Sequence, residues 1–211
     1  MLAMAVAGQR TAERRSTIRA WLRGHRDWRL EEVIALAERF WLSEPRDEAI
    51  PTELIGLSKR QIPSLPSTFF ERWRKPLCTW HDTDGLGIYI FGPWLAANLS
   101  RVSKLEKLIA AREVCSRRLA LVGTVVLNRR RETAIPELTL KLVDAVAGER
   151  DPLITKAVSW ALRELSKTCA DLVKRYVEQN CERLPAIAVR EVRNKLQTGL
   201  KNPRRRAAAS A

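Results

Sequence analysis

Acidic charge, histidine and paired cysteine are scarce in this 211-residue chain, and each shortage removes a class of function. There are two histidines and four cysteines. Cys78, Cys115, Cys169 and Cys181 stand far apart with no C-x-x-C among them, so neither a disulfide framework nor a zinc site is signalled. His81 follows Cys78 in a lone C-x-x-H, and His25 has no cysteine near it, so no metal and no cofactor are expected. No apolar run approaches membrane-spanning length, and Met1 to Ala7 is too short for the apolar core of a signal peptide. A cytoplasmic protein without a membrane partner is expected. The chain also lacks a nucleophile triad and a paired acid and base at any recognisable spacing.

What is abundant is positive charge. Lys and Arg outnumber Asp and Glu 38 to 24, for a net charge of +14 and a pI near 10.4. The cations are scattered along helical segments instead of being confined to a tail, which favours a folded surface facing nucleic acid over a solubility charge or a membrane-surface patch. The length suits one domain or a short repeat array, and no linker divides it convincingly.

Residues 1–10 are expected to be a frayed start. A first helix opens at Thr11 and carries Arg14, Arg15, Ile18, Trp21 and Leu22, and a second, over 30–41, sets Leu30, Val33, Ile34, Ala37 and Trp41 at helical spacing. Glu44-Pro45-Arg46 reads as a helix start, and Pro51 predicts a kink or split in the segment running to Arg60. A loop over 61–66 precedes a short helix over 68–74. Further helices are expected over 86–99, 104–111, 113–128, 133–147, 152–167, 170–180 and 187–198. The short links force antiparallel neighbours. Basic helices holding Arg117 and Arg118, then Lys156, then Arg190 recur every 35 to 40 residues or so, a period that predicts stacked helix pairs. The fold class is therefore all-α, an α-solenoid in which those basic helices share a wall. It occupies 11–200 as a single domain, followed by a basic disordered tail over 201–211.

One stretch stands apart from this regularity. Thr79-Trp80-His81-Asp82-Thr83-Asp84-Gly85-Leu86-Gly87 puts an aromatic, two carboxylates and two glycines within nine residues of a very basic chain. Asp82 is expected to be a helix N-cap, with Asp84 in the first turn, where the helix dipole favours the ionised carboxylate. Gly85 and Gly87 suggest a close approach to the backbone; the alternative is a plain Asp-Gly turn before a helix that starts later.

Trp80 with Asp84 four residues on and Gly92 eight beyond that resembles the Trp-Asp-x-x-Asp segment of the bacterial DNA alkylation-repair glycosylases built from HEAT-like repeats, the AlkD type. Ser116-Arg117-Arg118-Leu119-Ala120 is similar to that family's Arg-Ala-Ala helix. Lys156-Ala157-Val158-Ser159-Trp160-Ala161-Leu162-Arg163-Glu164 is similar to its Lys-Ala-Ile-Gly-Trp-x-Leu-Arg-Glu helix, the most specific match. Together the matches cover about residues 10 to 200. The resemblance implies a DNA N-glycosylase acting on N3- and N7-alkylated purines in double-stranded DNA, and a monomer is expected. It implies Asp84 as the catalytic carboxylate, with Asp82 as the competing choice, and Trp80 and Trp160 as aromatics against the lesion's sugar-phosphate backbone. Arg118 is implied as the phosphate contact beside the lesion, with Arg117 its neighbour in register. Lys156, Arg190, Arg14, Arg15 and Arg193 are candidate backbone contacts. Arg163 and Glu164 are expected to be a structural ion pair or a tie between helices. Members of that family carry further helical sequence before the position of Thr11, so one wall of the DNA groove is expected to be reduced. The alternative class is a noncatalytic HEAT-like nucleic-acid-binding module; a third is a solenoid scaffold for an acidic protein.

Overall fold

In the computed structural model, residues 2, 6, 8–43, 49–77 and 79–203 are described, and every regular element among them is helical. The start at Glu44, Cys78 and the tail beyond Pro203 lie outside the described residues. The chain divides into two compact units, Met1–Val102 and Ser103–Ala211.

The first unit is organised around a short helix buried on nearly every side. Helix α1 spans Thr11–Gly24, α2 Leu30–Trp41 and α3 Ala49–Leu57; every residue of α3 from Ile50 to Gly56 is buried. Pro51 does not split α3. It sits in the first turn, where the missing N–H needs no partner. Helix α3 packs against α1, α2 and the elements that follow Thr79. Its one carboxylate, Glu53, takes two hydrogen bonds from Arg14 at 2.9 Å and one from Arg15 at 3.2 Å. A carboxylate held in the core without such partners would cost several kcal/mol, roughly, so the two guanidiniums are part of the packing.

Helix α4 (Ser67–Trp73) delivers Phe69, Phe70 and Trp73 to an aromatic core. Trp73 stacks on Trp41 at 4.8 Å, and Trp41 Nε1 donates to the Trp73 carbonyl. Trp94 Nε1 donates to the Leu65 carbonyl, and Arg101 lies over the Trp94 ring at 4.3 Å. These three tryptophans have core roles.

The second unit is a two-layer stack of antiparallel helix pairs, the α-solenoid arrangement expected. Helices α7 (Ser103–Ile109) and α8 (Val114–Leu127) form one pair, followed by α9 (Pro136–Ala145) with α10 (Pro152–Leu165) and α11 (Ala170–Gln179) with α12 (Ala186–Thr198). Each boundary falls within three residues of the pattern-based expectation, because the apolar period is regular and three of the helices carry their own punctuation. Pro136 and Pro152 occupy first positions, Asp151 accepts from the Leu153 N–H at 2.8 Å, and Gly199 ends α12 in the left-handed conformation. Helices α8, α10 and α12 pack side by side as one layer. They are the basic helices of the sequence repeat. Helix α10 is the middle of this layer, packed against both α8 and α12, and α8 is buried on almost all faces.

Candidate active site and nucleic-acid contacts

The stretch after Pro76 folds differently from its sequence expectation. Helix α5 spans Trp80–Leu86, with Thr79, not Asp82, as its N-cap. Thr79 Oγ1 accepts from the Asp82 N–H and Asp82 Oδ2 accepts from the Thr79 N–H, both at 3.2 Å, a reciprocal capping box. The dipeptide Asp84-Gly85 is helical instead of a turn. The chain continues without a break through a π-helical segment, Gly87–Phe91, into α6 (Gly92–Ala96). Pro93, which has no N–H to give, follows at once. The widened turn, closed by the Gly92 N–H on the Gly87 carbonyl, precedes the proline and admits its ring.

The capping box separates the two carboxylates. Asp82 is 0% exposed and committed to the helix start. Asp84, one residue into the second turn, is partly exposed. Trp80 lies four residues before Asp84, on the same face, and is 57% exposed. An indole left in solvent at a helix start, beside a carboxylate, contributes nothing to the core.

Helix α3 sets this element in place. A Cβ on Gly85 would lie 3.0 Å from Thr52 Cγ2, and one on Gly56 would lie 2.8 Å from Tyr89 Cβ. At Gly85 the close approach that the sequence suggested is that of α3, and the same helix makes a further close approach through Gly56. Tyr89 is tied in turn to α1: its hydroxyl accepts from Arg15 Nη2 at 2.8 Å. Arg14 and Arg15, candidate backbone contacts from the sequence, are engaged internally with Glu53.

In the second unit, Arg118 is 4% exposed, and its Nη1 donates to the Leu153 carbonyl at the start of α10. Arg117 donates to the carbonyls of Ala111 and Arg112 and pairs with Glu149 at 2.9 Å. Both arginines thus serve the joints between helices. Lys156 and Trp160 share a face of α10, Lys156 exposed and Trp160 half-buried. Arg190 and Arg193 are exposed on α12, and none of these three cations makes an ion pair among the described residues.

Arg163 and Glu164 are ties between helices with different partners. Arg163 Nε meets Ser159 Oγ at 3.1 Å and Glu191 of α12 at 3.8 Å, and Ser159 Oγ donates to the same Glu191 carboxylate. Burial draws Arg163 below its ordinary range, an effect that Glu191 and Glu164 oppose. Glu164 pairs with Arg129 at 3.6 Å and Lys167 at 2.7 Å.

The model of the DNA alkylation repair enzyme family matches residues 3–196. The chain belongs to that family. No curated protein is matched by its sequence. Among solved structures, it is similar to one described as a predicted DNA alkylation repair enzyme from Enterococcus faecalis. The two are 21% identical with a TM-score of 0.77, over 91% of this chain and 88% of that one. At that identity the likeness speaks for the fold. Family membership gives a role in alkylation repair. Among the described residues no helix is long and apolar enough to cross a membrane, and no cluster of His, Cys, Asp and Glu could hold a metal ion.

Proposed function

We propose that this family member is a DNA N-glycosylase that hydrolyses the glycosidic bond of N3- and N7-alkylated purines in duplex DNA. The observation that carries the reading is the pairing of exposed Trp80 with partly exposed Asp84 on one face of α5, while Asp82 is sealed in the capping box.

Alkylation at a ring nitrogen makes the purine cationic, so it leaves with the bonding electron pair as a neutral base and needs no acid. Positive charge then builds on the sugar. A carboxylate near C1′ stabilises that charge and orients the water whose oxygen bonds to C1′ and whose proton passes to solvent. One carboxylate suffices, which accounts for a chain without an acid and base pair. Trp80 would pack against the cationic nucleotide, an interaction worth about 0.5 to 2 kcal/mol. Lys156, Trp160 and Arg190 of the second unit would contact the DNA backbone, and Arg118, anchored on Leu153, would hold a phosphate. The protein would act as a monomer in the cytoplasm.

The test is release of free 3-methyladenine and 7-methylguanine from methylated duplex DNA by the purified protein. Release above the spontaneous rate, lost in Asp84→Asn, is expected. No release at large enzyme excess would leave a noncatalytic DNA-binding module.

A further inference from the structure

The first unit also gathers cations away from α5. A cavity of about 470 Å³ opens where the C-terminal end of α1 meets the residues after α3. Arg19, Arg23, Arg26, Lys59 and Arg60 line it, and among the described residues no acidic side chain does. Leu22, Val33, Leu57 and Trp28 give it an apolar and aromatic wall, and Ser58 and Gln61 add neutral polar groups. None of the five cations makes a hydrogen bond or ion pair within the described residues. Asp27, in the loop after α1, neither lines the cavity nor pairs with any of them.

Charge repulsion makes this arrangement expensive unless something answers it. Two helix ends contribute some of that answer, since α1 and α3 both terminate here, and a helix C-terminus carries roughly half a negative charge. About one unit of negative charge therefore meets five positive ones. An uncommitted set of that size converging on one cavity exceeds what capping two helices requires. Arg19, Arg23 and Arg26 also sit at i, i+4 and i+7, so α1 and the turn after it present them along one side. The rim is rigidly made: His25 stacks on Trp21 at 3.9 Å, its Nδ1 donates to the Trp21 carbonyl at 2.7 Å, and Trp28 packs edge-on against both rings.

We propose that this cavity binds two or more closely spaced phosphate groups, with the apolar wall taking the sugar or base attached to them. Such a group could be part of a free nucleotide or of a DNA strand. Guanidinium forks suit phosphate oxygens, and the volume lies within the range of small-ligand sites. The site is separate from Asp84 and does not depend on the reading given to that residue.

Titration calorimetry on the full chain with inorganic pyrophosphate, ATP and an unmodified duplex tests it. Arg23→Gln/Arg60→Gln removes two charges from exposed positions, and Lys174→Gln, exposed on α11, serves as a control outside the cavity. Pyrophosphate should bind the parent protein and the control alike, and bind the double variant roughly tenfold to a hundredfold more weakly at unchanged Tm. ATP binding tighter than pyrophosphate, with duplex affinity unchanged in the double variant, identifies a free nucleotide as the occupant. A loss of duplex affinity in the double variant, with ATP no tighter than pyrophosphate, identifies a DNA strand. Pyrophosphate binding that is absent, or equal in the parent and the double variant, overturns the site.

Discussion

Asp82 and Asp84 are two residues apart and have different work to do, so the same substitution should give different readouts. Asp84→Asn keeps size and hydrogen bonding and deletes the charge. Excision should fall by about 10- to 1000-fold, roughly 1.4 to 4 kcal/mol of transition-state stabilisation, while duplex binding holds or tightens because a repulsive charge has gone. Asp82→Asn instead weakens the capping box on Thr79, so it should lower stability by about 0.5 to 2 kcal/mol, seen as a drop in Tm, with excision by the folded fraction retained. If Asp82→Asn abolishes excision and Asp84→Asn does not, the assignment is reversed. The spacing of Trp80 and Asp84 was readable in the sequence, as was a helix start nearby. Its register was not fixed until Thr79 was seen to supply the cap, although Thr79-x-x-Asp82 carries the spacing of a capping box. Arg118 marks the limit on the other side. Nothing local distinguishes a buried arginine from an exposed one on a helix that is apolar all round. Arg118→Ala should leave the Leu153 carbonyl without its donor and cost about 1 to 3 kcal/mol of stability, in addition to any loss of phosphate binding. An unchanged Tm would show that the tie contributes nothing.

At the scale of elements, α3 is the post on which the Asp84 helix and the π-helical segment after it hang, and Gly56 is where α3 meets Tyr89 of that segment. Alanine is favoured over glycine in a helix interior by about 1 kcal/mol, so Gly56→Ala would stabilise an isolated helix. Here the new methyl would meet Tyr89 Cβ at 2.8 Å, an atom close to the backbone that no rotamer change can move. Overpacking of about 1 to 3 kcal/mol should win, lowering Tm and, through the displaced π-helical segment, excision as well. A Tm equal to or above that of the parent would mean α3 is free to slide. In the second unit, burial first and the hydrogen bond to Asp144 second push the Tyr176 hydroxyl well above its ordinary value of 10.0. The folded chain therefore keeps this proton at alkaline pH where the unfolded chain releases it. Stability that is intact below pH 10 should decline as the pH rises past it. Tyr176→Phe should flatten this limb in denaturation experiments across that range; an unchanged slope would show that Tyr176 is not its source.

Over the whole molecule, the sequence was read best where structure is repetitive and worst where long-range contacts decide. Helices α8 to α12 could be placed from apolar period, prolines and a terminal glycine, because each signal is local. The cavity between the end of α1 and the segment after α3 joins residues more than thirty positions apart, and none of its cations stood out in the sequence. The same distinction governs how the net charge of +14 should be used. Arg14, Arg15, Arg117 and Arg163 are already paired with carboxylates, so total charge overstates what the protein offers to DNA. In the layer formed by α8, α10 and α12, the uncommitted cations are Lys156, Arg190 and Arg193. If all three meet phosphates, they should contribute about −2.7 to the slope of log K against log salt, at −0.9 per contact. Lys156→Gln/Arg190→Gln should then reduce the measured slope on unmodified duplex by about two contacts. Removing Lys201 to Ala211, with its four basic residues, should reduce it by about one to three. Asp84→Asn should leave the slope within error of the parent, since its charge faces the reacting sugar in the proposed mechanism. Truncation of the tail that abolished salt dependence altogether would move duplex binding off the helical layer, and a double variant with the parent slope would do the same.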